Sequence, residues 1–370
     1  MTTDAVRVRA AVCRAVGEPL TIEEISLKPC AVGEVRVVVD AVAICHSDLA
    51  YIDGHWAGAL PAVFGHEAVG RVAECGSDVD LAIGARVVIT LIRHCGSCRQ
   101  CQSGHPAACS TAATLGPHSP LHTSSGEPVE RGLRCAAFAE QVVVHHSQLV
   151  EIDERAGDAA AALLACGVIT GVGAVLNTDV VAPDDSVVVV GCGGVGLNVI
   201  QGAALAGAHP IIAVDPEPTK ATIAKRLGAT QVCSPADAAA VVAAATDGHM
   251  ADHVFVATGA PPALRSASDL LGVGGAIVIV GMPPDGTTME IDPSSLAGAG
   301  QRILGSKMGS SDHHADVPTY LDHHRDGRLE LEGLVSGTFA LDEINLALDG
   351  VRSGTALRNV ILMGARDEDR

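Results

Sequence analysis

Cys95, Cys98, Cys101 and Cys109 follow a C-x2-C-x2-C-x7-C spacing, tight enough for one short loop to wrap four thiolates around a single tetrahedral zinc. Such a site is closed and structural. Gly96, Gly104 and Pro106 supply the turns such a loop needs, and this grouping favours metal binding over a set of buried or redox-active thiols. A second, sparser set comprises Cys45 in CHSD, His66 in GHE and Cys166 in LLACGVIT. Two cysteines and a histidine would leave a fourth position on zinc open for water or substrate. Each of the three is weak alone, because a lone Cys or His is more often core filling than a ligand. Their neighbours strengthen them: Asp48 would orient His66 through its second ring nitrogen, and Glu67 adds a carboxylate beside the metal.

A third motif binds rather than reacts. Gly191-Cys192-Gly193-Gly194-Val195-Gly196 fits G-x-G-x-x-G between a strand-like run and a helical one. The first glycine permits a tight turn, the second lets a pyrophosphate approach the backbone, and the third allows close helix-strand packing. Asp215 closes the next strand at about the 20-residue distance of a ribose-binding acid, which favours NAD over NADP. A glycine-rich loop that merely packs strand on helix is the bland alternative.

These residues sit on two textures. Up to about residue 165 short β-runs (VRVRAAVC, EVRVVVDAVAI, AVGRVAEC, ARVVITLI, FAEQVVV) alternate with turns and suggest an irregular β-rich domain. From about 168 strands (SVVVVG, PIIAVD, DHVFVAT, GAIVIVG) alternate with helical runs, the rhythm of an α/β parallel sheet. After about 307 the chain returns to helix (VPTYLDHHRDG) and a strand (LRNVILM) that would rejoin the first domain. The 370 residues suffice for about two domains with cores of their own. Only 2% of residues are aromatic, so those cores must be aliphatic.

Charge and apolar-run lengths narrow the partners. A formal charge of -19 without basic runs speaks against nucleic acid and anionic membranes. No apolar stretch approaches the roughly 20 residues of a bilayer span. Without an evident signal segment, the twelve cysteines read as reduced thiols in a cytoplasmic protein rather than a disulfide scaffold. The histidine pairs His145-His146, His313-His314 and His323-His324 read as surface residues, and Cys192 as a small residue within its loop.

CHSD, GHE, the four-cysteine lobe, Cys166-Gly167, GCGGVG, AVDPEPTK, VIVGMPP and LRNVIL together resemble the zinc-dependent medium-chain alcohol dehydrogenases over nearly the whole chain. The similarity extends to class III and actinobacterial zinc-type members. The resemblance implies a GroES-like catalytic domain (1–167 and 307–370, with the zinc lobe at 93–112) around a Rossmann domain (168–306), with NAD in the cleft. It implies two zincs per subunit, one held by Cys45, His66 and Cys166 and one by the four-cysteine lobe. Ser47 would hydrogen-bond the substrate oxygen. His46 and Arg358 would contact the pyrophosphate, Lys220 would sit near the adenosine ribose, and Thr170, Val195, Val280 and Met282 would flank the cofactor. Zinc would polarise the alcohol oxygen, and hydride would pass to the nicotinamide ring. Retention of the segment from Cys109 to Phe138, as in dimeric relatives, implies a homodimer.

The chain departs from the family at Ala50, where many relatives end a proton relay with a histidine. Water or His55 would have to carry the proton instead. Pocket positions carry Trp56, Leu91, Thr114, Met282 and Ile303, a mostly apolar slot suited to a primary alcohol or aldehyde. Glutathione-dependent relatives usually have an acid and an arginine where this chain has Trp56 and Thr114. A mycothiol-type formaldehyde dehydrogenase stays open, as does a catalytically silent zinc- and nucleotide-binding redox sensor. A zinc hydrolase on the same ligands is poorly motivated beside a dinucleotide fold.

Overall fold

The computed structural model describes residues 5–112, 119–354 and 356–364. The chain divides into two compact units, one of residues 1–166, 312–325 and 331–370, the other of residues 167–311 and 326–330. Residues 307–311, placed with the first domain on sequence texture, thus fall in the second unit, where the Ser311 hydroxyl donates to the Ile169 carbonyl at 3.1 Å.

The first unit is β-rich. Strands Val6–Cys13, Thr21–Leu27, Leu121–Thr123, Pro128–Arg131 and Ala62–Val63 close a small barrel. A second sheet is organised around the long strand Glu34–Ala43, which pairs along one edge with Glu67–Cys75 and along the other with Gln141–His145 and then Arg358–Leu362. Val35, Val37 and Val39 are buried while Arg36, Val38 and Asp40 are less so, the two-residue alternation of a sheet with one face on a core. Each such valine contributes about 1.5–3 kcal/mol by leaving water. The core they join is aliphatic, with Phe64 and Phe138 its aromatic members. This sheet also brings distant segments to one place. Ala43 pairs with Glu67 on one side and with Val360 on the other, so the ends of three strands meet beside Cys45.

The second unit is a six-stranded parallel sheet in the order Gln231–Cys233, Ile211–Val214, Val187–Val190, Ala251–Val256, Leu271–Ile279, Arg302–Gly305. In chain order that is 3-2-1-4-5-6, the doubly wound arrangement whose direction reverses between the first and fourth strands. Val187 to Val190 are all buried, as a strand with both faces covered requires. The helix Gly196–Ala206 leaves the carboxyl end of that strand.

The helix read around VPTYLDHHRDG starts earlier, spanning His313–Arg325 with Pro318 inside it. His313 is buried, against the expectation of a surface pair. Among the described residues no single helix is long and apolar enough to cross a membrane.

Candidate active site and metal centres

Cys45 caps the short helix His46–Ile52, His66 immediately precedes the strand beginning at Glu67, and Cys166 ends the first unit's opening segment. All four of Cys45, His66, Glu67 and Cys166 are buried, and one ligand atom from each lies within 4.8 Å of the others. Asp48 holds this arrangement. Its carboxylate accepts from the Cys45 N–H at 3.1 Å, the Gly65 N–H at 2.9 Å and the His66 Nδ1 at 3.0 Å. With Nδ1 committed as a donor, the lone pair of His66 sits on Nε2, which is buried and has no hydrogen-bond partner. Gly65 itself has φ +90°, and an added Cβ would strike Phe138 at 2.7 Å, so only glycine fits between these groups.

The electrostatics describe a place that wants positive charge. Glu67 is fully buried, both its oxygens lack hydrogen-bond partners, and burial pushes its pKa up to about 8 although Arg358 opposes the rise. The Arg358 guanidinium lies 3.3 Å from Glu67 Oε1 and donates to the Ile44 carbonyl at 3.4 Å. The Cys45 thiol is held well below its usual range by a hydrogen bond from Cys166 and by His66, and Cys166 is raised correspondingly. Two thiols, an imidazole nitrogen without a hydrogen-bond partner and a carboxylate that is ion-paired to Arg358 but takes no hydrogen bond fit a divalent zinc by donor type and number. A Glu67 oxygen lies within the same 4.8 Å group, close enough to be a fourth donor as well as a supporting carboxylate.

The lobe cysteines converge as tightly. Sγ separations are 3.5 Å for Cys98–Cys101, 3.9 Å for Cys98–Cys109 and 3.7 Å for Cys95–Cys109. A tetrahedral site with Zn–S of about 2.3 Å requires about 3.8 Å. None of these cysteines is in a disulfide. Backbone N–H groups of Cys98 and Ser97 point at Cys95 Sγ at 3.3 and 3.4 Å. Hydrogen bonds from Thr111 and then Ser97 bring the Cys95 thiol down to about 5, so the loop supports thiolate before any ion arrives.

In the second unit Gly191 takes φ +95° and a Cβ there would meet Thr258 at 2.9 Å. At Gly196 a Cβ would lie 1.8 Å from the Gly191 carbonyl, whereas at Gly193 it would meet nothing within 4 Å. Backbone packing therefore fixes the first and third glycines, and the second faces open space, the cradle a pyrophosphate would use. Gly194 accepts from the Asn198 side chain at 2.7 Å, and Val195 stands at the cap of the helix. Asp215 is buried, and its carboxylate takes donors from the chain itself: the Cys192 N–H at 2.7 Å, the Glu217 N–H at 2.9 Å and Lys220 Nζ at 3.3 Å. Burial pushes the Cys192 thiol up to about 12, so it is inert filling.

The remaining candidates lie as follows. His46 and Ser47 open the helix after Cys45, His46 exposed and Ser47 half-buried. Thr170 is buried and its hydroxyl faces Met308 Sδ at 3.7 Å; Val280 is buried, while Met282 is 69% exposed. Trp56 packs edge-on against Tyr51, with centroids 5.4 Å apart, and Leu91 packs against the first unit's core. Ile303 packs against the core of its own sheet, and Thr114 lies outside the described residues. Sequence reasoning missed the pairing of Arg358 with Glu67, for which no local signal exists.

Residues 31–154 match the alcohol dehydrogenase GroES-like domain family and residues 194–325 match the zinc-binding dehydrogenase family. The chain is 36% identical to an S-(hydroxymethyl)glutathione dehydrogenase of Synechocystis, over 95% of this chain and 99% of that one. It is 33% identical to an NDMA-dependent alcohol dehydrogenase of Amycolatopsis methanolica, over 97% and 100%. Among solved structures, benzyl alcohol dehydrogenase from Acinetobacter calcoaceticus superposes with a TM-score of 0.90 at 32% identity, covering 97% of this chain and all of that one. An alcohol dehydrogenase zinc-binding domain protein from Burkholderia ambifaria gives 0.93 at 33% identity, covering 98% and 100%. The chain belongs to the zinc-dependent medium-chain alcohol dehydrogenase family. It is a zinc- and NAD-linked oxidoreductase acting between alcohol and aldehyde.

Proposed function

We propose that this enzyme oxidises apolar primary alcohols, and reduces the matching aldehydes, with NAD(H) in preference to NADP(H). The observation that carries the site assignment is His66, pinned at Nδ1 by Asp48 and unpartnered at Nε2 where two thiols converge. Cys45, His66 and Cys166 would hold the reacting zinc, with Glu67 within reach as an alternate donor. Cys95, Cys98, Cys101 and Cys109 would hold the second. When bound, the first zinc supplies a Lewis acid that draws electron density from an alcohol or carbonyl oxygen.

The chain's own residues do the rest. Ser47 accepts the alcohol proton while its own hydroxyl proton passes on to water or His55, since Ala50 supplies no base. Asp48 fixes the tautomer and aim of His66, and Arg358 keeps charge balanced against the buried Glu67. Gly193 leaves the backbone open to the pyrophosphate, and Thr170, Val195, Val280 and Met282 would flank the cofactor. Asp215 accepts from the adenosine ribose, with Lys220 neutralised beside it, and its charge repels a 2'-phosphate. Trp56, edge-on against Tyr51, and Leu91 would offer the substrate an apolar wall without charge.

A thiol-adduct reading is favoured by one observation, the 36% identity to an S-(hydroxymethyl)glutathione dehydrogenase. Trp56 opposes the glutathione form of it, because an indole offers no charge to pair with a peptide carboxylate. One experiment tests both: zinc content together with NADH formation from a panel of primary alcohols, with and without formaldehyde plus glutathione or another small thiol. Turnover of apolar alcohols without thiol supports the proposal, and turnover confined to formaldehyde with thiol replaces it. We also take the assembly to be a homodimer, which sedimentation of the purified protein tests.

A further inference from the structure

One group of chemistry-bearing side chains in the first unit has no part in this reaction. His94 precedes the cysteine lobe, and His313 and His314 open the helix His313–Arg325. One ring nitrogen from each lies within 4.8 Å of the others. The ring centroids are 5.4 Å apart for His94–His313, 5.6 Å for His94–His314 and 4.2 Å for His313–His314.

Their hydrogen bonding is incomplete in an informative way. His313 is fully buried, and its Nε2 donates to the Ser147 carbonyl at 2.7 Å. That bond fixes the tautomer and leaves the lone pair on Nδ1, a buried atom without a hydrogen-bond partner. A backbone carbonyl on the far nitrogen is the usual support for a metal-binding imidazole. Burial, reinforced by His314, brings the His313 pKa down to about 3, so the ring is neutral and its lone pair available at pH 7. His94 has neither ring nitrogen partnered, and no N–H···N bond joins the rings. Either tautomer of His94 therefore leaves a buried N–H and a buried lone pair unanswered, which is rare in folded proteins. Ser147 places both rings, since its hydroxyl accepts the His94 backbone N–H at 3.1 Å.

We propose that His94, His313 and His314 form a third metal site, which takes a zinc-like divalent transition cation through three imidazoles. Nitrogen donors of this kind select zinc, cobalt, nickel or copper over calcium or magnesium. His314 is exposed and gives the ion a way in, and three ligands leave a fourth position for water. Ring rotation must bring the nitrogens from within 4.8 Å to about 3.3 Å apart, the separation set by Zn–N of about 2.0–2.1 Å. The bound ion ties the start of the helix His313–Arg325 to the residue before Cys95. Its role is structural and independent of the alcohol chemistry.

The test is a titration of the zinc-loaded enzyme with Co2+, read by absorption and by metal counting. One further equivalent should bind, with the d–d bands of a nitrogen-ligated ion and no thiolate-to-cobalt charge-transfer band. His314→Ala and His94→Gln should each weaken that uptake about tenfold or more, with both cysteine-site zincs and alcohol turnover unchanged. His314→Ala alters an exposed side chain and carries the test alone if His94→Gln fails to fold. A wild-type enzyme that takes up no further equivalent overturns the proposal, as does uptake that the variants leave at wild-type strength.

Discussion

Asp48→Asn separates the two cysteine centres. The Asp48 carboxylate is fully buried and takes three donors, with Gly65 N–H and His66 Nδ1 on one oxygen and Cys45 N–H on the other. An asparagine has one oxygen for those three. Its better orientation keeps the oxygen toward Gly65 and His66 and turns the amide toward Cys45, leaving the Cys45 N–H facing another donor. The loss is one charge-assisted bond, about 1.5–3 kcal/mol, plus a buried unsatisfied donor at about 1–3 kcal/mol. His66 also exchanges a carboxylate for a neutral acceptor, and outer partners of metal ligands typically contribute 10- to 100-fold in affinity, about 1.4–2.7 kcal/mol. Asp48→Asn should therefore release one of two zincs at about 10- to 100-fold lower chelator concentration, while the lobe zinc leaves as in the wild type. A chromophoric chelator titration with metal counting reads both phases. Unchanged release of both ions, or parallel weakening of both, would refute the assignment of Asp48 to His66.

Other substitutions probe the remaining groups. Cys98→Ser should remove the lobe zinc and lower thermal stability, since ligand binding at a structural site is folding energy, whereas Cys166→Ser should abolish turnover with a smaller loss in melting temperature. Asp215→Ser should raise the NADP-to-NAD ratio of kcat/KM; because three of the carboxylate's acceptor positions are already taken by Cys192, Glu217 and Lys220, part of the loss will be looser loop geometry, and a wild type that prefers NADP would contradict the role. Ser47→Ala should cut alcohol oxidation by about 10²- to 10⁴-fold with NAD binding, followed by fluorescence, nearly intact. His253, between Asp179 at 2.6 Å and Asp185 at 3.0 Å, has a raised pKa because those hydrogen bonds outweigh burial. Its contribution is complete below the unfolded pKa of about 6.5 and is lost as pH rises through the higher folded value. Denaturant melts should show that loss above about pH 6.5, and His253→Gln should remove it.

What could be read from the sequence was what a few consecutive residues enforce. The lobe cysteines lie within one loop, so spacing alone dictates their convergence, and the glycine turn joins a strand and a helix consecutive in the chain, although Thr258 of the neighbouring strand's end also crowds Gly191. Cys45, His66 and Cys166 are different. Residue types offered them only as a sparse candidate set that resemblance strengthened, because the approach of Cys45 to His66 depends on strand pairing around Ala43. Arg358 shows the limit of resemblance too. It assigned the arginine to the pyrophosphate and said nothing of Glu67, which the antiparallel pairing of Val360 with Ala43, itself paired with Glu67, sets 3.3 Å from the guanidinium. Asp215 was read as a ribose-binding acid, and its internal donors, two backbone N–H groups and a lysine, come from turn geometry that residue types do not encode. The doubled histidines failed for a further reason. A pair at a helix's first turn can have one residue buried and the other exposed while the two rings still lie together, as His313 and His314 do with centroids 4.2 Å apart. Polar neighbours such as Asp312 and Asp316 made both look exposed. Only the packing of that turn against Ser147 and His94 determines which ring is buried, and that packing joins segments the sequence holds far apart.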